Sequence, residues 1–235
     1  MIEIAGLVIT KNGEKHLDLI LEQFKRINVA EIVVCVNDTT TDATVDISNK
    51  YTDKVHLLDF KGVLFAEAVL NEAYDKCSCD WILRIDDDEL VSTQFTDLHE
   101  KLHITAANGI WFPRYHSLYD THHYINTEPW YPDYQLRLFR KTALVPHSGK
   151  VHITQEVKGN QEEHWDDHPI FHMTYLWRTL EERERRIVEY DNSRYSEREA
   201  QILNKLQVFE NHKMVVADCS VQPLVQYWGA NREND

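Results

Sequence analysis

The chain has 235 residues, 43% of them apolar and 11% aromatic, enough to bury the core of one large domain and too hydrophobic for a disordered polypeptide. Thirty-nine acidic against 25 basic side chains give a net charge of −14, which repels nucleic acid and anionic membrane surfaces and sets aside a nucleic-acid binder. No run reaches the ~18 apolar residues of a membrane span, the N-terminal stretch carries Glu3 and no basic leader, and Cys35, Cys77, Cys79 and Cys219 include no Cys-x-x-Cys pair. The expectation is a cytoplasmic protein with reduced thiols, no transmembrane segment and at most peripheral contact with a membrane.

The first ninety residues alternate between two periods. Ile2 to Thr10 is an apolar, β-branched run of strand length. Leu17, Ile20, Leu21, Phe24 and Ile27 then recur at helical spacing beside charged neighbours. Glu31 to Val36 reads as a second strand, and Thr41-Asp42 as the cap of a helix carrying Val45, Ile47 and Tyr51. Lys54 to Phe60 is a third strand, Phe65 to Lys76 a third helix, and Trp81 to Ile85 a fourth strand that runs into Asp86-Asp87-Asp88-Glu89. Such alternation with short connections predicts an α/β fold with a mostly parallel sheet flanked by helices.

Beyond Asn108 the pattern turns mixed: strands over 109–115, 134–140, 151–157 and 170–173, separated by irregular stretches rich in histidine and aromatic residues. From about Leu176 to Lys213 the highly charged sequence predicts one or two long, largely solvated helices, followed by a loosely held tail after Pro223.

In an open parallel sheet, ligands bind at the carboxyl ends of the strands. The residues there are Thr10-Lys11, Asn37-Asp38, Lys61 and Asp86-x-Asp88. Neither G-x-G-x-x-G nor G-x-x-x-x-G-K-[ST] occurs, so a dinucleotide cofactor and a Walker-type phosphate cradle are unsupported. Four consecutive acids at a strand end repel one another, and a divalent cation relieves that cost. Hard carboxylate oxygens suit Mg²⁺ or Mn²⁺ shared with substrate phosphates. On an extended backbone Asp86 and Asp88 point one way and Asp87 the other.

These segments carry a resemblance. Val36 to Thr44 (VNDTTTDAT) resembles the nucleotide-binding turn of family 2 glycosyltransferases, Trp81 to Glu89 (WILRIDDDE) their strand leading into the DxD motif, Phe65 to Ala73 (FAEAVLNEA) their F-A-x-x-R-N-x-A helix, and Tyr134 to Arg140 (YQLRLFR) their R-L-F-R strand. The resemblance implies a GT-A fold in which residues 1–108 bind a nucleotide sugar, 109–175 bind the acceptor, and 176–235 form a helical extension. It implies a metal-dependent glycosyltransferase, inverting at the anomeric carbon, that moves a sugar from a nucleotide-diphosphate donor to a glycan, lipid-linked or protein glycoconjugate acceptor. Thr10, Lys11, Asp38, Lys61, Asp86 and Asp87 would make the nucleotide-sugar side, Asp38 on the base and Asp86 on the ribose or a metal-bound water. Asp88, with Asp86 and a later histidine, His172, would hold Mn²⁺ or Mg²⁺. Asn37, Thr39 and Ala43 depart from the usual turn, and Leu70 stands where the family pattern has a diphosphate-facing arginine, so that Lys61 or Lys11 is left to supply positive charge.

An acceptor hydroxyl needs a general base, and the candidates are His152, Glu156 and Asp133. The aromatic stretch 111–134 suits stacking on sugar faces, and the His164, Asp166, Asp167, His168 group reads as a solvated loop. Two alternatives stand beside this reading: a nucleotidyltransferase acting on sugar phosphates, for which Thr10-Lys11-Asn12-Gly13 is a poor phosphate loop, and a non-catalytic nucleotide-sugar or glycan-binding module.

Overall fold

A computed structural model describes residues 2–62, 65–128, 130–149, 155–159, 161–191 and 215–226. The elements in chain order are β1 (Ile4–Thr10), α1 (Leu17–Ile27), β2 (Glu31–Asn37), α2 (Thr44–Ser48), β3 (Val55–Leu58), α3 (Leu70–Lys76) and β4 (Trp81–Arg84), then β5 (Glu89–Val91), α4 (Leu98–Leu102), β6 (Gly109–His116), β7 (His123–Ile125) and β8 (Tyr134–Arg140). They are followed by β9 (Glu162–His164), β10 (Ile170–His172), α5 (Thr174–Trp177), α6 (Leu180–Asp191) and β11 (Val216–Asp218). The main sheet runs β3-β2-β1-β4-β8-β6-β10-β5, with β9 beside β6. The first four strands are parallel; β8 is antiparallel to both β4 and β6, and β10 is parallel to β6 and antiparallel to β5. The fold is the α/β arrangement with a largely parallel first half that the alternation predicts.

β1 is buried along its whole length, as a central strand covered on both faces must be. The α1 stripe of Leu17, Ile20, Leu21, Phe24 and Ile27 packs into the core of the sheet. Gly6 permits that approach, because a Cβ there would come within 2.6 Å of the Phe24 ring. Buried Gln23 then stitches α1 to β5, donating from Nε2 to Glu89 O (3.2 Å) and accepting from Val91 N (2.8 Å), so the strand that follows the acidic turn is held by the first helix.

Several expectations need revision. The helix after Asp42 is one short turn-and-a-half whose N-cap position is Ala43 and not Asp42, Asp42 Oδ1 instead accepting from Thr44 N at 3.0 Å in an Asx turn just before it, and the helix expected from Phe65 opens as a 3₁₀ turn over Ala66–Val69. β5, β7, β9 and β11 are three residues each, too short to leave a readable period. Within the expected strand 151–157, residues 151–154 lie outside the described part, and Val157 makes an isolated bridge to Leu144.

The segment after 176 is helical only in part among the described residues. α6 opens with a capping box that the sequence reading passed over: Thr179 N donates to Glu182 Oε2 (2.9 Å) and Glu182 N to Thr179 Oγ1 (3.2 Å). The chain later returns to the body, where β11 pairs with β7, Leu224 N donates to Val91 O (2.8 Å), and Val225 is buried. Residues 222–225 thus line the outer edge of β5 rather than trailing free; Trp228 lies outside the described part. All four cysteines are free and buried, and no described helix is long and apolar enough to cross a membrane.

Glu31, at the start of β2, ties three segments together. It pairs with Lys54 and accepts from Ser78 N (2.6 Å), Ser78 Oγ (2.7 Å) and Cys79 N (2.9 Å). Burial alone would raise its carboxyl, but these donors outweigh burial and bring it down to about 2. A depressed folded-state value contributes stability that is present above the unfolded value and lost as pH falls toward the folded one. Glu31→Gln is therefore expected to cost about 2–3 kcal/mol at pH 7 by urea unfolding, with the gap to the parent closing as pH drops from about 5 toward 2; a gap that does not change with pH would contradict this.

Candidate active site

The parallel strands β1, β2, β3 and β4 open their carboxyl ends on one edge, and the loops there are laced together. Thr10 Oγ1 donates to Asp87 Oδ2 at 2.7 Å, tying the end of β1 to the acidic segment after β4. Thr41 N donates to Asn12 Oδ1 (2.9 Å) and Gly13 N to Thr44 Oγ1 (2.8 Å), joining the β1–α1 and β2–α2 loops. Lys11 follows Thr10 half-buried, and Asp38 stands exposed at the end of β2, its N–H held by Leu58 O (3.0 Å).

The acidic segment is a turn, not an extended run: Glu89 N donates to Asp86 O at 3.1 Å as the chain reverses into β5. The expected parallel projection of Asp86 and Asp88 therefore does not hold. Asp86 is clasped by Arg137, Asp87 faces Thr10, and Asp88 faces α5.

Two arginines hold the underside of this turn. Arg137, 1% exposed in the middle of β8, donates to fully buried Glu89 through Nε (2.9 Å) and Nη2 (2.6 Å) while also binding Asp86. Arg114 on β6 bridges Glu89 Oε1 (3.4 Å) and Asp133 Oδ2 (2.7 Å). Burial and the neighbouring Asp88 carboxylate push Asp86 up to about 6, against the pull of Arg84 and Arg114, which is the electrostatic signature of crowded carboxylates.

Asp88 is 9% exposed. Its Oδ2 accepts from Thr174 Oγ1 (2.6 Å) and Arg178 Nη1 (2.6 Å) and lies 3.5 Å from His172 Nε2. His172, at the end of β10, sits opposite Glu89 on one side and His116 on the other in strand register. The two imidazoles meet through Nδ1 atoms 2.9 Å apart, and His116 Nε2 lies 3.0 Å from Asp133 Oδ2. Burial lowers both histidines, His116 to about 3. For Asp133 burial would raise the carboxyl, yet Arg114 and His116 outweigh it and hold it well below the usual range.

Asp86, Asp87, Asp88, Asp133, Thr10 and His172 are thus brought into one connected region, with Lys11 and Asp38 on the adjoining strand ends. Two other sequence candidates are not joined to it. Lys61 is exposed and left-handed (φ 57°), pairing with Asp59 at 3.3 Å, and Glu156 carries an exposed side chain on the segment where its carbonyl accepts from Val145 N (3.0 Å). His152 lies outside the described residues. Leu70 is buried in the core, and the cation at Asp88 comes instead from Arg178, a residue the sequence reading did not single out. Arg137, Arg114, Glu89 and His116 were missed as well, although an arginine inside the apolar strand YQLRLFR demands a buried acidic partner.

The aromatic stretch divides. Phe112 and Trp130 are core, whereas Tyr115 stacks on Tyr124 at 4.2 Å with Tyr131 at 5.9 Å. Of the group His164, Asp166, Asp167 and His168, the first three are exposed as expected of a solvated loop, while His168 is fully buried and tied to Asp97 and Asp167, each 2.7 Å away.

Residues 7–156 match Glycosyl transferase family 2, and the chain belongs to that family. An uncharacterized glycosyltransferase of Rickettsia bellii is 32% identical over 99 residues, 40% of this chain and 31% of that protein; one of Rickettsia conorii is 31% identical over 99 residues, with 40% and 32% covered. The matched segment therefore spans about a third of those relatives. Among solved structures, Staphylococcus aureus TarS residues 1–349 overlay with a TM-score of 0.45 at 16% identity, over 88% of this chain and 71% of that one. Glucosyl-3-phosphoglycerate synthase of Mycobacterium tuberculosis, in complex with Mn²⁺, UDP and glucosyl-3-phosphoglycerate, overlays at 0.37 with 13% identity, covering 49% and 44%.

Breaking the buried Arg137–Glu89 pair leaves a charge without compensation, which costs about 3–5 kcal/mol. Arg137→Met is expected to lose that much in urea unfolding, and adding Glu89→Gln to restore about half of it or more. Strictly additive losses would refute the pairing.

Proposed function

We propose that this chain is the donor-binding and catalytic domain of a glycosyltransferase that moves a sugar from a nucleotide-diphosphate donor to a hydroxyl of a glycan or glycoconjugate acceptor, with Mn²⁺ or Mg²⁺ and with inversion. The observation that carries the reading is the acidic turn at the carboxyl edge of the parallel strands, backed by buried arginines and faced by His172.

The residues present suit a divalent cation. Asp88 Oδ2 and His172 Nε2 are 3.5 Å apart, near the separation of about 3 Å between adjacent corners of an octahedron with ~2.1 Å bonds. Among the described residues no group of three histidine, cysteine or acidic ligands is assembled, which fits a small cation that completes its shell with phosphate oxygens and water. Asp88 and His172 would hold it, with Asp86 beside them, and when bound it would neutralise the charge that develops on the departing diphosphate.

The chain's own residues supply the rest. Asp38, Thr10 and Lys11 flank the nucleoside, and Asp87 is kept in place by Thr10. Arg178 stands in the role vacated at Leu70: it rests on Asp88 and is free of the core side chains that trap Leu70, so it can turn its guanidinium to the diphosphate. In the reaction the acceptor oxygen attacks the anomeric carbon, the bond from that carbon to the diphosphate breaks, and a base takes the hydroxyl proton. Asp133 is a poor base here, since Arg114 and His116 already satisfy it. Of the other sequence candidates for that base, Glu156 stands apart from the acidic turn and His152 lies outside the described residues. The stacked tyrosines 115, 124 and 131 give the acceptor side an aromatic wall.

The test is nucleoside diphosphate release from a panel of nucleotide sugars with Mn²⁺. Asp88→Asn is expected to lower turnover by about 100-fold or more, equivalent to about 2.7 kcal/mol in the barrier. Arg178→Ala is expected to weaken nucleoside diphosphate binding about 10- to 100-fold, as for a lost hydrogen bond to a charged group of about 1.5–3 kcal/mol. Pyrophosphate release from a nucleoside triphosphate and a sugar phosphate would instead indicate a nucleotidyltransferase, and binding without any turnover a non-catalytic module.

A further inference from the structure

We propose that Arg84, backed by Tyr74, contacts the transferred sugar of the donor and selects one that carries a carboxylate. The inference rests on the reading of the carboxyl edge as a nucleotide-sugar site, and it names the class of sugar that this site takes.

Arg84 is the last residue of β4, two before Asp86. Side chains alternate along a strand, which sets Arg84 on the face of Ile82. That face packs with Leu70, Ala73 and Tyr74 of α3, whereas Leu83 and Ile85 lie in the other cluster with α1, Met173 and Trp177. Arg84 therefore stands where the α3 cluster opens at the carboxyl edge. Asp88, Arg178 and His172 meet on the opposite flank of the acidic turn, beside α5. A donor whose diphosphate rests on that second flank carries its sugar toward the first. The chain at 147–149 bounds the α3 flank, because Asn71 clasps His147 through two hydrogen bonds of 2.8 Å, Nδ2 donating to His147 O and Oδ1 accepting from His147 N.

The state of the guanidinium points to a ligand. It has five N–H donors, and among the described residues it spends one of them, from Nη1 to the Tyr74 hydroxyl at 3.3 Å. Its Nε is buried without a hydrogen-bond partner. Asp86 Oδ1 lies 3.7 Å from Nε, beyond hydrogen-bond reach, while Asp86 Oδ2 is clasped by Arg137. The contrast is with Arg137 and Arg114, whose guanidiniums are spent on Asp86, Glu89 and Asp133. Donors left unmade in such a place are costly, and the Arg84 side chain keeps 15% of its surface open, so the fork can be reached from the crevice. A planar fork is matched by the two coplanar oxygens of a carboxylate. Asp86, Glu89 and Glu67 act on the charge of Arg84, but Arg137 and Arg114 offset the first two, so a further anion is not repelled.

The probes are glucuronic acid 1-phosphate and glucose 1-phosphate, titrated calorimetrically into the full chain with Mn²⁺ present; they differ only in a carboxylate or a hydroxymethyl group on the ring. Wild type is expected to bind the glucuronate about 10- to 100-fold more tightly, as for a hydrogen bond to a charged group. Arg84→Met is expected to abolish that preference with glucose 1-phosphate affinity little changed, and Arg84→Lys to keep part of it as a point charge. Tyr74→Phe deletes only the hydroxyl that holds the fork and is expected to reduce the preference, so the case does not depend on Arg84→Met folding. Equal affinity of wild type for the two probes, or binding of neither, overturns the proposal. An Arg84→Met loss of the same size for both probes also overturns it, since the fork would then serve the phosphate. Neither probe contains a base, so a chain that shows the preference yet is stabilised by no nucleoside diphosphate would refute the nucleotide reading and leave the Arg84 site standing.

Discussion

The constraint on which the site depends is the cost of crowding acids at one turn. Asp86, Asp87, Asp88 and Glu89 follow one another at the end of β4, and Glu89 is fully buried. Such a cluster is tolerable only if positive charge is built in beside it. Arg137 and Arg114 supply it from below, on β8 and β6, and Arg178 from the side of α5. The sheet topology follows the same need: inserting β8 antiparallel between β4 and β6 sets Arg137 under the turn, and bringing β10 back between β6 and β5 sets His172 against Asp88.

The layout separates the buried pairs from the residues at the strand ends. Glu89, Arg137 and Arg114 are buried among themselves and leave little for a ligand to touch. Asp86, Asp88, His172 and Arg178 stand at the carboxyl edge of the parallel strands, where a phosphate-bearing ligand would arrive. The capping box of Thr179 and Glu182 begins α6 right after Arg178, so the helix start that the sequence provides also fixes where that guanidinium hangs. Gln23 adds a rear tie from α1 to the strand behind the turn.

Much of the first half was legible in the sequence because its strands and helices are long enough to show their period: β1, α1 and β2 fall within a residue or two of the predicted runs, and the acidic segment could be placed at a strand end from that alternation alone. The partners of the acids were harder to see. Arg137 lies 51 positions from Asp86, and Arg178 lies 90 from Asp88; no local pattern links them, although a lone arginine within YQLRLFR was a clue. The turn geometry of Asp86 to Glu89 was misjudged because alternation applies only to extended chain, and the strand now numbered β5 is too short to announce the reversal. Lys61, favoured for its place after β3, is solvent-exposed and pairs with Asp59, and Leu70 lies in the core. The tie between His116 and His172 spans 56 positions and depends wholly on which strands become neighbours.

The central claim is that the acidic turn with its arginines is a cation-dependent site for a nucleoside diphosphate. Thermal unfolding of the chain with a panel of nucleoside diphosphates, each with Mn²⁺ and with EDTA, tests it most directly. At about 100 times its dissociation constant a ligand adds roughly 2.7 kcal/mol, or some 5–10 °C at about 2–4 °C per kcal/mol for a chain of this length. The account predicts such a rise for at least one base with Mn²⁺ and its loss with EDTA; an unchanged melting temperature with every nucleotide, or a rise of the same size in EDTA, would contradict it.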